Sequence, residues 1–291
     1  VTASAYDGSA AAAVSDTERW RQGYRRRRAQ RSVLVAAAST LAFAVVGWLV
    51  VTHTPGWPRV RTAFFDWRTA KDSFPSILSG LWLNVRVLVV AEAIVLVLSL
   101  LVAALRTLRG PVFFPVRALA TTYVDLFRGL PLIIVLLLVG FGVPGLRLSY
   151  LPTSPVILGT IALVLTYTAY VSEVFRAGIE SVHPSQRAAA RSLGLTHGQT
   201  LRLVVMPQAV RAVLPPLLND FVALQKDVGL ISILGAIDAV RAAQIAQSTN
   251  FNFTPYVVAG LLFVALAVPS ARLADYVSAR ANRRQRAGAL V

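Results

Sequence analysis

Residues 32 to 51, SVLVAAASTLAFAVVGWLVV, run for about twenty positions without a charge. Rising about 1.5 Å per residue, a helix of that length crosses a ~30 Å hydrocarbon layer. Backbone in lipid must satisfy its own hydrogen bonds, so the run points to α-helix in a bilayer. A cleaved signal peptide is the rival reading, but its apolar core would be shorter and would end in small residues rather than in GWLVVTHTPGW. The run reads as a retained anchor.

Further runs follow at about 81–105, 119–143, 155–175, 212–236 and 255–276, separated by charged or Pro- and Gly-bearing segments. Composition agrees, since 56% of residues are hydrophobic and 14% charged, which is not the balance of a soluble domain. The expected fold is all-α: a polytopic membrane helical bundle of about six transmembrane helices, both termini cytoplasmic. A net charge of +16 suggests nucleic acid at first sight. The arginines, however, sit beside the apolar runs: seven lie from Arg19 to Arg31, and Arg280, Arg283, Arg284 and Arg286 follow the last run. That is the positive-inside pattern, so the partner is membrane lipid and not nucleic acid. Residues 1–17 have no hydrophobic period and read as a disordered cytoplasmic tail. Cys is absent and His occurs only at positions 53, 183 and 197, which leaves little from which to build a metal site or a cysteine nucleophile.

One segment between the apolar runs is too broken by polar residues to span a bilayer: QRAAARSLGLTHGQTLRLVVMPQAVR, residues 186 to 211. Arg187, Arg191, Arg202 and Arg211 place it on the cytoplasmic face. Ser185 can cap a short helix over 186–193, and Gly194 can close it in the left-handed conformation. Thr196 with Gln199 forms a T-x-x-Q capping box that starts a second helix at about 197, which Pro207 ends or kinks. On pattern alone, two protruding helices and a merely anchoring interfacial helix are equally good readings.

This segment resembles the EAA coupling loop of permease subunits from ABC importers, with Ala189, Ala190, Gly194 and Pro207 at the family's spacing and Ala188 where the family usually has Glu. GLWLNVRV at 80–87, YVDLFRGLPLIIVLLLVGFGVP at 123–144, YVSEVFRAGIESVHPSQ at 170–186 and MPQAVRAVLPPLLNDFVALQKD at 206–227 resemble the polar amino acid branch of that family. The family's Lys-Asp-Thr-Ser stands here as Lys226, Asp227, Val228, Gly229. The resemblance implies a type I importer domain over 77–280, with the coupling loop at about 177–208. An extra N-terminal helix at 32–52 and an extracytoplasmic loop at 53–76 precede it, flanked by cytoplasmic tails at 1–31 and 281–291. It also implies ATPase coupling through Arg187, Ala189, Ala190, Arg191, Gly194, Thr196, Gln199 and Pro207. No G-x-x-x-x-G-K-[ST] phosphate loop occurs in the chain. ATP and Mg would therefore belong to a partner ATPase, alongside a second permease, identical or not, and an extracytoplasmic amino-acid-binding protein.

Ionisable residues inside spans cost about 2.5 to 3.5 kcal/mol each near the helix centre, so they carry function or pair with one another. Glu92, Asn219, Lys226 and Asp227 are the pathway candidates; Glu92, with no aligned base on its own helix, calls for a substrate ammonium or Lys226. Asp125 with Arg128 and Glu173 with Arg176 are three apart and read as structural ion pairs. An ion-coupled secondary transporter or channel is the alternative class, although no internal repeat supports it. An intramembrane enzyme has neither Cys, nor His inside a span, nor a recognisable Ser dyad to work with.

Overall fold

The computed structural model describes residues 16–108 and 110–288, among which there are helices and turns but no strand. The tail expected at 1–17 therefore lies outside the described residues up to position 15, as do Arg109 and residues 289–291. The chain divides into two units, 1–61 and 62–291. In the first, helix α1 (Asp16–Thr52) begins ahead of the arginine cluster, so the basic stretch expected as a tail continues into the apolar run as one helix of 37 residues. Nothing between Arg31 and Ser32 breaks a helix, and arginine is a good helix former. A turn at Pro55 and Gly56 leads to α2 (Trp57–Phe64), so much of the stretch expected as a loop at 53–76 is helical.

Within the second unit runs α3 (Trp67–Thr107), a helix of 41 residues capped by Asp66, whose carboxylate accepts from the Arg68 amide at 3.2 Å and the Thr69 hydroxyl at 2.6 Å. At about 60 Å it is far longer than the run expected at 81–105 and twice the hydrocarbon thickness. Ile77, Leu81, Asn84, Leu88, Ala91 and Val95 recur every three or four residues and are all buried. That spacing turns one seam toward neighbouring helices, while Trp82, Val89, Val90 and Val97 on the other faces are exposed.

The run expected as a single span at 119–143 is not one helix. It is α4 (Phe114–Gly129) and α5 (Leu132–Gly145), bent by 107°. Leu130 is extended because the residue before a proline avoids the helical region, and Pro131 then starts α5. Neither piece, at 16 and 14 residues, covers the hydrocarbon thickness alone.

Helix α6 (Pro155–Glu180) is the hub, packing on α3, α4 and α5 and on the later α9 (Met206–Asp227). Lipid tails are as apolar as leucine, so membrane helices associate by close packing of small residues rather than by exclusion from water. Accordingly, a Cβ on Gly159 would stand 2.7 Å from Ile231, and one on Gly178 would stand 2.0 Å from Val213. Val87, Leu88, Ala91, Leu136, Leu163, Tyr167, Leu224 and Ile231 form the buried centre around α6.

Between α6 and α9 lie α7 (Pro184–Ser192), α8 (His197–Thr200) and a π-type turn, Leu201–Val205. The span expected at 212–236 is helical only to Asp227. A 3-10 turn, Val228–Leu234, follows and stops at Gly235, whose φ of +92° no side-chain-bearing residue adopts cheaply. Asp238 then caps α10 (Ala239–Asn250), accepting from the Arg241 amide at 2.8 Å. This helix lies between the runs expected at 212–236 and 255–276, and it packs on α3 and on α11 (Thr254–Gly288). Among the described residues five helices are long and apolar enough to cross a membrane, or six if the bent pair is one span.

Candidate functional site

Helix α7 begins one step earlier than the sequence suggests. His183, not Ser185, is its N-cap, its ring accepting from the Ser185 amide at 3.2 Å. The third helical position then belongs to Gln186, so a glutamate at 188 would complete no cap with Ser185. Ala188 and Ala189 are exposed and Ala190 is buried. Gly194, with φ +83°, closes the helix: its amide bonds to the Arg191 carbonyl at 3.0 Å and the Leu195 amide to the Ala190 carbonyl at 3.2 Å. This is the paired closure of a glycine-terminated helix. The Thr196 box forms in both directions, with the Thr196 amide to Gln199 Oε1 at 2.9 Å and the Gln199 amide to Thr196 Oγ1 at 3.3 Å. Pro207 does not end the second helix. In the π-type turn ahead of it the Met206 amide reaches back five residues to Leu201, and the widened turn admits the proline ring at the start of α9.

The segment is clamped at its root and bare at its tip. Arg187 donates from Nη2 to the Ile179 carbonyl at 2.6 Å. Val182, Val205 and Ala209 form a small buried cluster beneath it. Arg191 is exposed, and at the tip Leu193 is 83% exposed. Leu193 was not singled out from the sequence; an apolar residue beside the closing glycine of a polar hairpin was the available signal.

At the same end of the bundle Glu173 gathers charges from three helices. Arg106 of α3 meets it at 2.6 Å, Arg128 of α4 at 4.0 Å, and Arg176 binds both Glu173 and Glu180. The Glu173 to Arg176 pair expected from spacing is present. The Asp125 to Arg128 pair is not: Asp125 is exposed, and Arg128 turns to Glu173 and lies 5.9 Å from the Tyr170 ring.

The four pathway candidates separate into three places. Glu92 is half-buried on α3 within electrostatic reach of Asp220 on α9, and no base pairs with either acid among the described residues. Lys226 is exposed, so it is not the cation Glu92 was expected to meet. Asp227 accepts from the Tyr167 hydroxyl at 2.8 Å. Asn219 and Lys226 share one exposed face of α9. Between them Gln225 is 1% exposed with both side-chain polar atoms unpaired. Facing acids such as Glu92 and Asp220 can attract a cationic solute, and an unpaired amide such as that of Gln225 can donate to or accept from a hydrogen-bonding one.

The family described as the binding-protein-dependent transport system inner membrane component matches residues 101–283. The chain is 33% identical over 222 residues to the glutamate/aspartate import permease protein GltK of Escherichia coli O6:H1, covering 74% of this chain and 98% of that protein. It is also 33% identical over 215 residues to the probable glutamine ABC transporter permease protein GlnM of Bacillus subtilis, covering 73% and 96%. A crystal structure of an amino acid ABC transporter with histidines aligns with TM-score 0.68 at 31% identity, over 74% of this chain and 98% of that one. Helix α1 lies outside the family match. With a helical membrane bundle, a capped hairpin between α6 and α9 and these relatives, the chain belongs to the inner membrane components of binding-protein-dependent transport systems.

Proposed function

We propose that the chain is the permease subunit of an ATP-driven importer of polar amino acids, with the α7 to α8 hairpin as its cytoplasmic contact to a separate ATPase and both termini on that side. The observation that carries this reading is the hairpin itself, rigid at both caps, clamped to α6 by Arg187, and ending in a bare leucine. ATP and Mg belong to the partner in this reading. Lys71 and Lys226 lie within α3 and α9 rather than after a glycine loop, so neither is placed as the lysine of a phosphate loop.

A binding protein on the opposite side would deliver the amino acid. Closure of two ATPases would draw together two such hairpins, one from each member of a permease pair. A displacement at Leu193 passes to α6 through the Arg187 clamp and to α9 through the continuous turn at Leu201–Val205. Those two helices carry Tyr167, Asp227 and Asp220, so tilting them changes access to the polar interior. There Glu92 and Asp220 offer negative charge to a substrate ammonium, and Asn219 and Lys226 face the partner permease across the path.

Two measurements test this. Burying a leucine at an interface contributes about 1.5 to 3 kcal/mol. Leu193→Asp should therefore weaken association of the ATPase roughly ten- to a hundredfold in a pull-down titration; undiminished binding removes the hairpin tip from the interface. Separately, Glu92→Gln should lower uptake in proteoliposomes about tenfold, the weight of one charge-assisted contact, with the ATPase still assembled. Wild-type uptake by that variant takes Glu92 off the path.

A further inference from the structure

A cavity of about 520 Å³ opens between the start of α4 and the ends of α3 and α6. Arg106, Arg117, Arg176, Thr121, Thr122 and Glu180 line it, three guanidinium groups against one carboxylate. Arg106 and Arg176 are engaged with Glu173 and Glu180. Arg117 has no acidic partner among the described residues. Its Nη1 donates to the Leu108 carbonyl at 3.1 Å and its guanidinium lies 5.8 Å from the Phe114 ring, contacts that hold the fork in place without neutralising it. Helix α4 also starts at this cavity, but its Phe114 amide is bonded to the Pro111 carbonyl and Pro115 has no amide hydrogen, so the arginine and threonine side chains are the donors there.

We propose that this cavity binds a phosphate group, carried by the headgroup of an anionic phospholipid in the leaflet on the hairpin side. Planar guanidinium forks match phosphate oxygens in pairs, and threonine hydroxyls complete the donor set. Basic pockets between helix ends at headgroup depth are where such lipids are held. The volume exceeds what one phosphate needs and leaves room for the rest of a headgroup. An occupant competes with Glu173 and Glu180 for Arg106 and Arg176, and Glu180 is the last residue of α6 before the chain turns toward α7. The lipid would thus loosen the ion network at the root of the hairpin and tune its response. That consequence rests on the proposed function; the binding does not.

The test uses the permease assembled with its ATPase. Native mass spectrometry after exposure to phosphatidylglycerol or phosphatidylcholine should show preferential retention of phosphatidylglycerol. Arg117→Gln should reduce that retention about fivefold, the contribution of one basic residue beside an anionic headgroup, while Arg117→Lys keeps most of it and guards against a folding artefact. Equal retention by wild type and Arg117→Gln, or no preference between the two lipids, overturns the proposal. Added inorganic phosphate separates the sources: failure to displace the lipid assigns the site to the headgroup, and full displacement assigns it to free phosphate. Binding-protein-stimulated ATP hydrolysis in discs of either lipid is read alongside. Its absence in both lipids counts against the transport reading, and the mass measurement still decides the site.

Discussion

Gly80→Ala is expected to destabilise the folded chain by about 3 kcal/mol, at the upper end for overpacking, and to abolish uptake. A Cβ at position 80 would stand 2.4 Å from the carbonyl carbon of Asp238 and 2.5 Å from the amide nitrogen of Ala239. Those are backbone atoms, which cannot rotate aside as a side chain can. The start of α10 would have to withdraw from α3, and Asn84, one turn along α3, would lose its partners. Its amide nitrogen donates to Asp238 Oδ2 at 2.9 Å and to the Val228 carbonyl at 3.2 Å, and its oxygen accepts from the Ala239 amide at 3.1 Å. All of these groups are buried, where each unmet hydrogen bond costs about 1 to 3 kcal/mol. Gly142→Ala is the control, because nothing lies within 4 Å of a Cβ there. Within the last turn of α5 it should be neutral or stabilising by up to about 1 kcal/mol. Thermal unfolding of the two purified variants in one detergent checks this; matching curves would mean that α3 and α10 do not approach so closely.

That close approach explains what was illegible in the sequence. The capping box at Thr196 and Gln199 and the closure at Gly194 could be read in advance because each is completed within a few residues. Asn84 and Asp238 are 154 positions apart, and no local pattern marks them as partners. No run was expected over α10, which carries the polar residues Gln244, Gln247 and Ser248 and whose buried face is Ala239, Ala242 and Ala243, too small to give a strong apolar signal. The elbow between α4 and α5 was hidden for the opposite reason. Apolar residues continue through it, and hydropathy records how much apolar surface there is but not the direction of the chain; Pro131 was the mark of the break. Spacing misled at Asp125 and Arg128, since three residues apart on a helix permits a pair but a carboxylate on another helix, Glu173, competes for the same arginine. Glu92 has no base on its own helix to pair with, and the acid within its electrostatic reach, Asp220, belongs to a different helix that no local pattern could bring to it.

Gly194→Val should lower binding-protein-stimulated ATP hydrolysis and uptake together by about tenfold or more, while the permease still inserts, folds and assembles. The open space around Gly194, with nothing within 4 Å of a Cβ, means that an added Cβ meets no neighbour. The expected effect then comes from the backbone, held at φ +83°. A left-handed conformation costs roughly 1 to 2 kcal/mol for an ordinary residue and more for a β-branched one, and a factor of ten corresponds to about 1.4 kcal/mol. With valine the chain gains by leaving that conformation, which breaks the Gly194 to Arg191 and Leu195 to Ala190 hydrogen bonds and re-aims Leu193. Asparagine tolerates the left-handed region, so Gly194→Asn should keep most of the activity even though it too adds bulk at the tip. The contrast between the two variants separates shape from size. If valine and asparagine behave alike, either both active or both inactive, the turn's conformation is not what transmits force, and the role of Gly194 must be sought in the space it leaves for the partner.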